Sequence, residues 1–133
     1  MISSFVLISA KNAEKLIRVE HIREIVPLMA LQESSLDGRH FRGLINLRGE
    51  IIPIFDFDEG PIRLSKDRFI LISETEDKNP IGVIVDDVHD IVGIENSDIV
   101  VRDIGSGRPE IFTLLNDRLV SVFDPKEIVH ASA

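Results

Sequence analysis

Two groups of carboxylates are the first residues in this chain whose types and spacing could do chemistry. Asp56, Asp58 and Glu59 stand together just before Gly60-Pro61, and Asp86, Asp87, His89 and Asp90 form the second group. A calcium loop needs ligands at alternate positions and a glycine at the sixth, and the spacing fails at Gly60 and Pro61. The first group therefore reads as a soluble loop. In the second, Asp87 and Asp90 would approach on a helical turn, but no companion cluster supplies the missing metal ligands at recognisable spacing. It reads as a solvated face with one carboxylate capping local backbone. His21, His40, His89 and His130 are scattered, and the absence of cysteine excludes a disulfide framework, a cysteine-ligated metal and a thiol nucleophile. Gly105-Ser106-Gly107-Arg108-Pro109 opens like a dinucleotide fingerprint but lacks the third glycine and a following long helix. With no nucleophile beside a base, no phosphate loop and no metal cluster, neither an enzyme nor a cofactor is expected. An acidic barrel that binds a small ligand, or hydrolyses one at Asp56 or Asp86, is the alternative from a different class.

The elements that would position these groups are strands. Apolar residues make up 44% of the chain and aromatics 5%, with no Trp or Tyr, so the core must be built from Ile, Val and Leu, a bias towards sheet. A length of 133 residues suits one domain or two small barrels sharing a core. The net charge of −8 disfavours nucleic acid and an anionic membrane as partners. Phe5–Ser9 is too short to span a bilayer and has no basic segment before it, which makes a soluble cytoplasmic protein the simplest expectation.

In chain order, Phe5–Ser9 and Lys15–Val19 flank a Lys11-Asn12 turn and read as a first hairpin. Ile22, Ile25 and Val26 fall at i, i+3 and i+4, which predicts a short helix stopped by Pro27. Leu28 to Arg39 has no clean period and ends in loop composition. Arg68–Ser73 with Ile81–Val85, and Ile111–Leu115 with Leu119–Phe123, read as further hairpins, and Ile99–Val101 as a short strand. Val88, Ile91 and Val92 again have helical spacing. Asp124-Pro125-Lys126-Glu127 is a good helix start. Hairpin after hairpin argues an all-β chain of small barrels with short helical pieces.

One hairpin, Phe41 to Phe57, organises the rest. Its apolar arms flank Arg48-Gly49-Glu50, where Gly49 supplies positive φ without steric cost. Asn46 and Arg48 are two apart and so share one face of the first arm. Pro53 cannot donate to a ladder, so the second arm must lie at an edge or carry a bulge there. Arg39, Arg42 and Arg48 make a locally basic island in an acidic protein, and polar groups on a bent, partly open hairpin suggest a docking surface.

The motif Arg42-Gly43-Leu44-Ile45-Asn46-Leu47-Arg48-Gly49, followed by Ile52-Pro53-Ile54 and Asp56, resembles the signature of the CheW-like family of chemotaxis adaptors. Ile22-Arg23-Glu24-Ile25-Val26-Pro27 and Ile81-Gly82-Val83-Ile84-Val85-Asp86-Asp87-Val88 are similar to two further blocks of that family, in the same order. The resemblance implies two five-stranded SH3-like barrels packed on a shared core, one domain over 1–133 whose barrels are discontinuous in sequence, with a C-terminal helix. It also implies a non-enzymatic role, coupling the cytoplasmic tip of a chemoreceptor to the regulatory domain of a CheA-like histidine kinase, or serving a related pilus or gliding pathway. The partner-binding residues it implies are Ile22, Glu24, Ile25, Gly43, Asn46, Leu47, Arg48 and Ile52, the apolar ones lining a groove and Arg48 fixing orientation. The segments after Phe57 and before Ile111 are shorter than the family pattern.

Overall fold

A computed structural model describes residues 1–34, 38–58, 68–74, 77–103, 105 and 109–132; the two shortened segments fall largely outside them. Three hairpins are built on the same two-residue turn. Strands β1 (Ile2–Ala10) and β2 (Ala13–Arg18) meet through Lys11 and Asn12, β4 (Phe41–Leu47) and β5 (Glu50–Asp56) through Arg48 and Gly49, and β10 (Pro109–Leu115) and β11 (Arg118–Val122) through Asn116 and Asp117. All six turn residues have positive φ, from 50° to 85°, as a turn matching the right-handed twist of its strands requires at both central positions. The other elements are β3 (Glu24–Pro27), β6 (Phe69–Glu74), β7 (Pro80–Val85), β8 (Asp87–Glu95), β9 (Ile99–Asp103) and one helix, α1 (Lys126–Ser132). No helix is long and apolar enough to cross a membrane among the described residues.

The strands form two sheets, ordered β8-β1-β2-β11-β10-β9 and β3-β6-β7-β5-β4. Each bends round upon itself. In the first, β8 and β9 are the outermost strands yet follow one another through a 3-10 turn at Asn96–Asp98, so together they are one bent strand and the ring has five members. In the second, the chain leaving β3 continues to Gln32, which bridges to Leu44 of the opposite edge through reciprocal backbone hydrogen bonds of 2.8 and 2.9 Å. Neither ladder is hydrogen-bonded all the way round, but the two rings have the SH3-like form that the resemblance implies. The first sheet draws on residues 2–18 and 87–122 and the second on 24–85.

Three apolar clusters follow from strand alternation. Phe5 and Leu16 join Ile94 and Val120 inside the first ring, while their neighbours Val6, Ile8 and Ile17 point the other way, against Phe55, Leu71, Val83 and Val85 of the second ring. Ile84 and Ile70 turn inward with Ile45, Ile52, Ile54 and Ile72. Strands buried on both faces read as continuous apolar runs. The shared cluster is sealed by Ile128 of α1, whose start is capped by the Asp124 carboxylate accepting the Lys126 N–H at 3.1 Å.

Both helices expected upstream of α1 are corrected to strands. Ile22, Ile25 and Val26 lie in and just before β3, which pairs with β6 in the register Glu24↔Ile72 to Pro27↔Phe69; only Val19–His21 forms a 3-10 turn. Ile25 faces the shared core and Val26 the second ring, and two buried faces produce the apolar triplet that mimics a helical period. In β8 the cause is a bulge. Val88 opposes Ile8 and Ile91 opposes Val6, with a register shift between; one extra residue converts a strand spacing of two into three. Pro53 is also explained: β5 lies between β7 and β4, but its pairing with β7 covers only Ile54 to Asp56, so Pro53 sits where one edge of the strand carries no ladder.

Candidate functional site

The β4/β5 turn and the start of β3 are on opposite edges of the second sheet, and the curl of that sheet brings them together. Glu24 of β3 accepts a hydrogen bond from Nη2 of Arg48 in the turn. The neighbouring Arg23 meets Glu50 at 2.7 Å, Glu74 at 3.2 Å and Glu24 at 3.4 Å, and its pKa is raised, first by the hydrogen bond to Glu50 and then by the charges of the surrounding glutamates. Two arginines and three glutamates thus bridge the seam where the ring closes. The Arg48 side chain remains 63% exposed, and exposed pairs of this kind contribute about 0–1 kcal/mol. The Arg48–Glu24 pair can therefore open at small cost.

Around this network the residues expected to bind a partner divide into two sets. Asn46 is exposed on the hairpin, and its Oδ1 accepts the Gly49 N–H at 2.9 Å, so it locks the turn that presents Arg48. The half-buried Ile22 and Ile25 pack on the shared core, whereas Leu47 packs on the second ring's own core. Ile52 lies wholly inside that ring and offers no surface. Gly43 is buried with φ +139°, and a Cβ there would lie 2.6 Å from the Gln32 carbonyl oxygen; it permits the bridge that closes the ring. Of the residues expected to line a groove, Ile22 and Ile25 thus lean on one core and Leu47 on another, each keeping part of its surface exposed, while Ile52 is fully enclosed. The surface gathers Glu24, Asn46, Arg48, Arg23, Glu50 and Ile51. Ile51 opposes Asn46 and is 53% exposed. Sequence reasoning passed over it because an isoleucine in an apolar run reads as core, although its distance of two from Pro53 and five from Asn46 puts it on the outward face.

The acidic groups resolve differently. Asp56 is not in a soluble loop: it is buried at the end of β5, held by Arg68 at 3.3 Å, and Arg68 also meets Asp86 at 2.9 Å. Arg42 reaches the same cluster through the Asp58 carbonyl. Arg39 donates to the Ala131 carbonyl at 3.2 Å, so of the three island arginines Arg48 alone belongs to the hairpin surface. Asp87 accepts the Val88 N–H at 2.8 Å, the backbone capping expected of that group. Among the described residues no three His, Asp or Glu side chains are placed to hold a metal.

A family model described as the CheW-like domain matches residues 4–133. No curated protein matches the chain. Among solved structures it is similar to the scaffolding protein TtCheW from Thermoanaerobacter tengcongensis, with 25% identity, a TM-score of 0.79, and 92% of this chain and 84% of that one covered. The paired rings, the shared core and a match running from the first strand to the last residue place the chain in one family: it belongs to the CheW-like domain family.

Proposed function

We propose that this chain is a cytoplasmic scaffolding adaptor that couples the cytoplasmic tip of a chemoreceptor to the regulatory domain of a CheA-type histidine kinase. The observation that carries the reading is the seam surface of the second ring, where Arg48 is presented on a locked turn beside exposed Ile51 and, among the described residues, is paired with Glu24 while staying 63% exposed. A helical segment bearing an apolar stripe and a carboxylate matches that surface: the stripe covers Ile51, and the carboxylate takes Arg48. Gly43, Ile52 and Leu47 act from within by holding the hairpin. The first ring is the surface left for the kinase domain, and the shared core ties the two interfaces rigidly together. The coupling role requires no catalysis, and the former candidates Asp56 and Asp86 are occupied as counterions of Arg68.

Titration of a receptor cytoplasmic fragment from the same genome tests the surface. Arg48→Asp and Ile51→Asp are expected to weaken binding at least about tenfold each, since central interface anchors contribute 1.4 kcal/mol or more. Unchanged affinity in both variants would move the site elsewhere.

A further inference from the structure

A second constellation lies on the first ring, away from the hairpin. Ser9 near the end of β1 faces Asp87 at the start of β8 in the antiparallel ladder. His89 follows where the β8 bulge adds its extra residue, and its Nε2 lies 2.6 Å from Ser9 Oγ. Its other ring nitrogen, Nδ1, is 3.9 Å from Oδ2 of Asp87, while Oδ1 of the same carboxylate accepts the Val88 N–H at 2.8 Å. That backbone bond fixes the carboxylate. In the tautomer with the proton on Nδ1, the nitrogen on the carboxylate's side, Nε2 is the acceptor for the Ser9 hydroxyl proton. A hydroxyl, a base within hydrogen-bond reach and a charged group behind the base are the parts of an activated nucleophile. Sequence reasoning missed them because Ser9 and His89 are 80 positions apart.

We propose that Ser9 is an acyl-accepting nucleophile, with His89 as its general base and Asp87 as a positioning residue. Ser9 Oγ attacks the carbonyl carbon of an ester as its proton passes to His89 Nε2. The tetrahedral adduct collapses with cleavage of the bond to the leaving oxygen, which takes the proton from Nε2 or departs as phenolate, in which case Nε2 releases its proton to solvent before the next step. Water attacking the acyl-serine by the same route releases the carboxylic acid and restores Ser9. The imidazole and the Asp87 side chain are 35% and 60% exposed, so the site is an open rim and selects by reactivity. Its substrate class is the small activated ester with a good leaving group, for which acylation demands least stabilisation of the oxyanion.

The test uses the full chain with p-nitrophenyl acetate, reading nitrophenolate release and, by peptide mass spectrometry, acetyl on the peptide that contains Ser9. The expected result is acetyl on Ser9, abolished by Ser9→Ala and slowed about 100-fold or more by His89→Gln. Asp87→Asn is expected to lower the rate at saturating ester about tenfold while leaving the KM unchanged, because it removes a charge 3.9 Å from the ring and no substrate contact. Acetyl confined to lysines and the terminal amine, or Ser9 acylation at the parent rate in His89→Gln, would overturn the proposal.

Discussion

Arg68 is 4% exposed and lies between the buried Asp56 and the partly exposed Asp86. Arg68→Met removes the nearer of two cations from buried Asp56 and leaves Arg42 Nε at 3.9 Å, so it is expected to cost about 3 kcal/mol in a denaturant titration, the low end for breaking a buried pair. Asp86→Asn should cost less, because that side chain is 29% exposed and water can replace its interaction. Thr113 gives the opposite sign. Its Oγ1 has no partner among the described residues although the side chain is fully buried, so Thr113→Val should raise stability by about 1 kcal/mol. Single residues were the least legible part of the sequence. Asp56 read as loop because its counterion is twelve positions on, across a stretch of polar letters. His89 read as isolated because its partner is on another strand.

At the scale of elements, the turns were legible and the connections between rings were not. Lys11-Asn12 and Gly49 mark turns through chemistry confined to the turn itself, although the two-residue length common to the three hairpins shows only in the structure. β3 and β8 were not legible in this way, because their patterns are set by what packs on both faces and by a bulge, features that exist only once β6 and β1 are alongside. Gly43 belongs to this scale. The motif implies a contact residue there, and the structure adds that it lies at the crossing where the chain after β3 bridges to β4. Gly43→Ala combines positive φ with a Cβ that would lie 2.6 Å from a backbone oxygen. It is expected to cost about 2 kcal/mol or more, read as a lower denaturant midpoint, and to weaken partner binding indirectly by loosening the hairpin.

For the whole molecule, the resemblance carried the paired rings, while the residues alone led only to small β barrels. The division of apolar side chains among three clusters could not be read from the letters, since alternation within a strand does not say which of two buried faces is shared. That division alters the choice of probes: Ile25→Asp would place a charge against the shared core and disturb both rings, whereas Arg48→Asp and Ile51→Asp alter the exterior. Arg48→Asp should change stability by less than about 1 kcal/mol while still losing receptor affinity, so stability and binding can be separated in one protein. If coupling is the function, the two rings must engage two partners at once. The most direct measurement is co-sedimentation of the kinase regulatory domain with a receptor cytoplasmic fragment, with and without this chain. The account predicts that the kinase domain enters the pellet only when the chain is present, and that Arg48→Asp leaves the chain with the kinase domain in the supernatant. A kinase domain that pellets equally without the chain, or a chain that binds neither partner while folded, would contradict it.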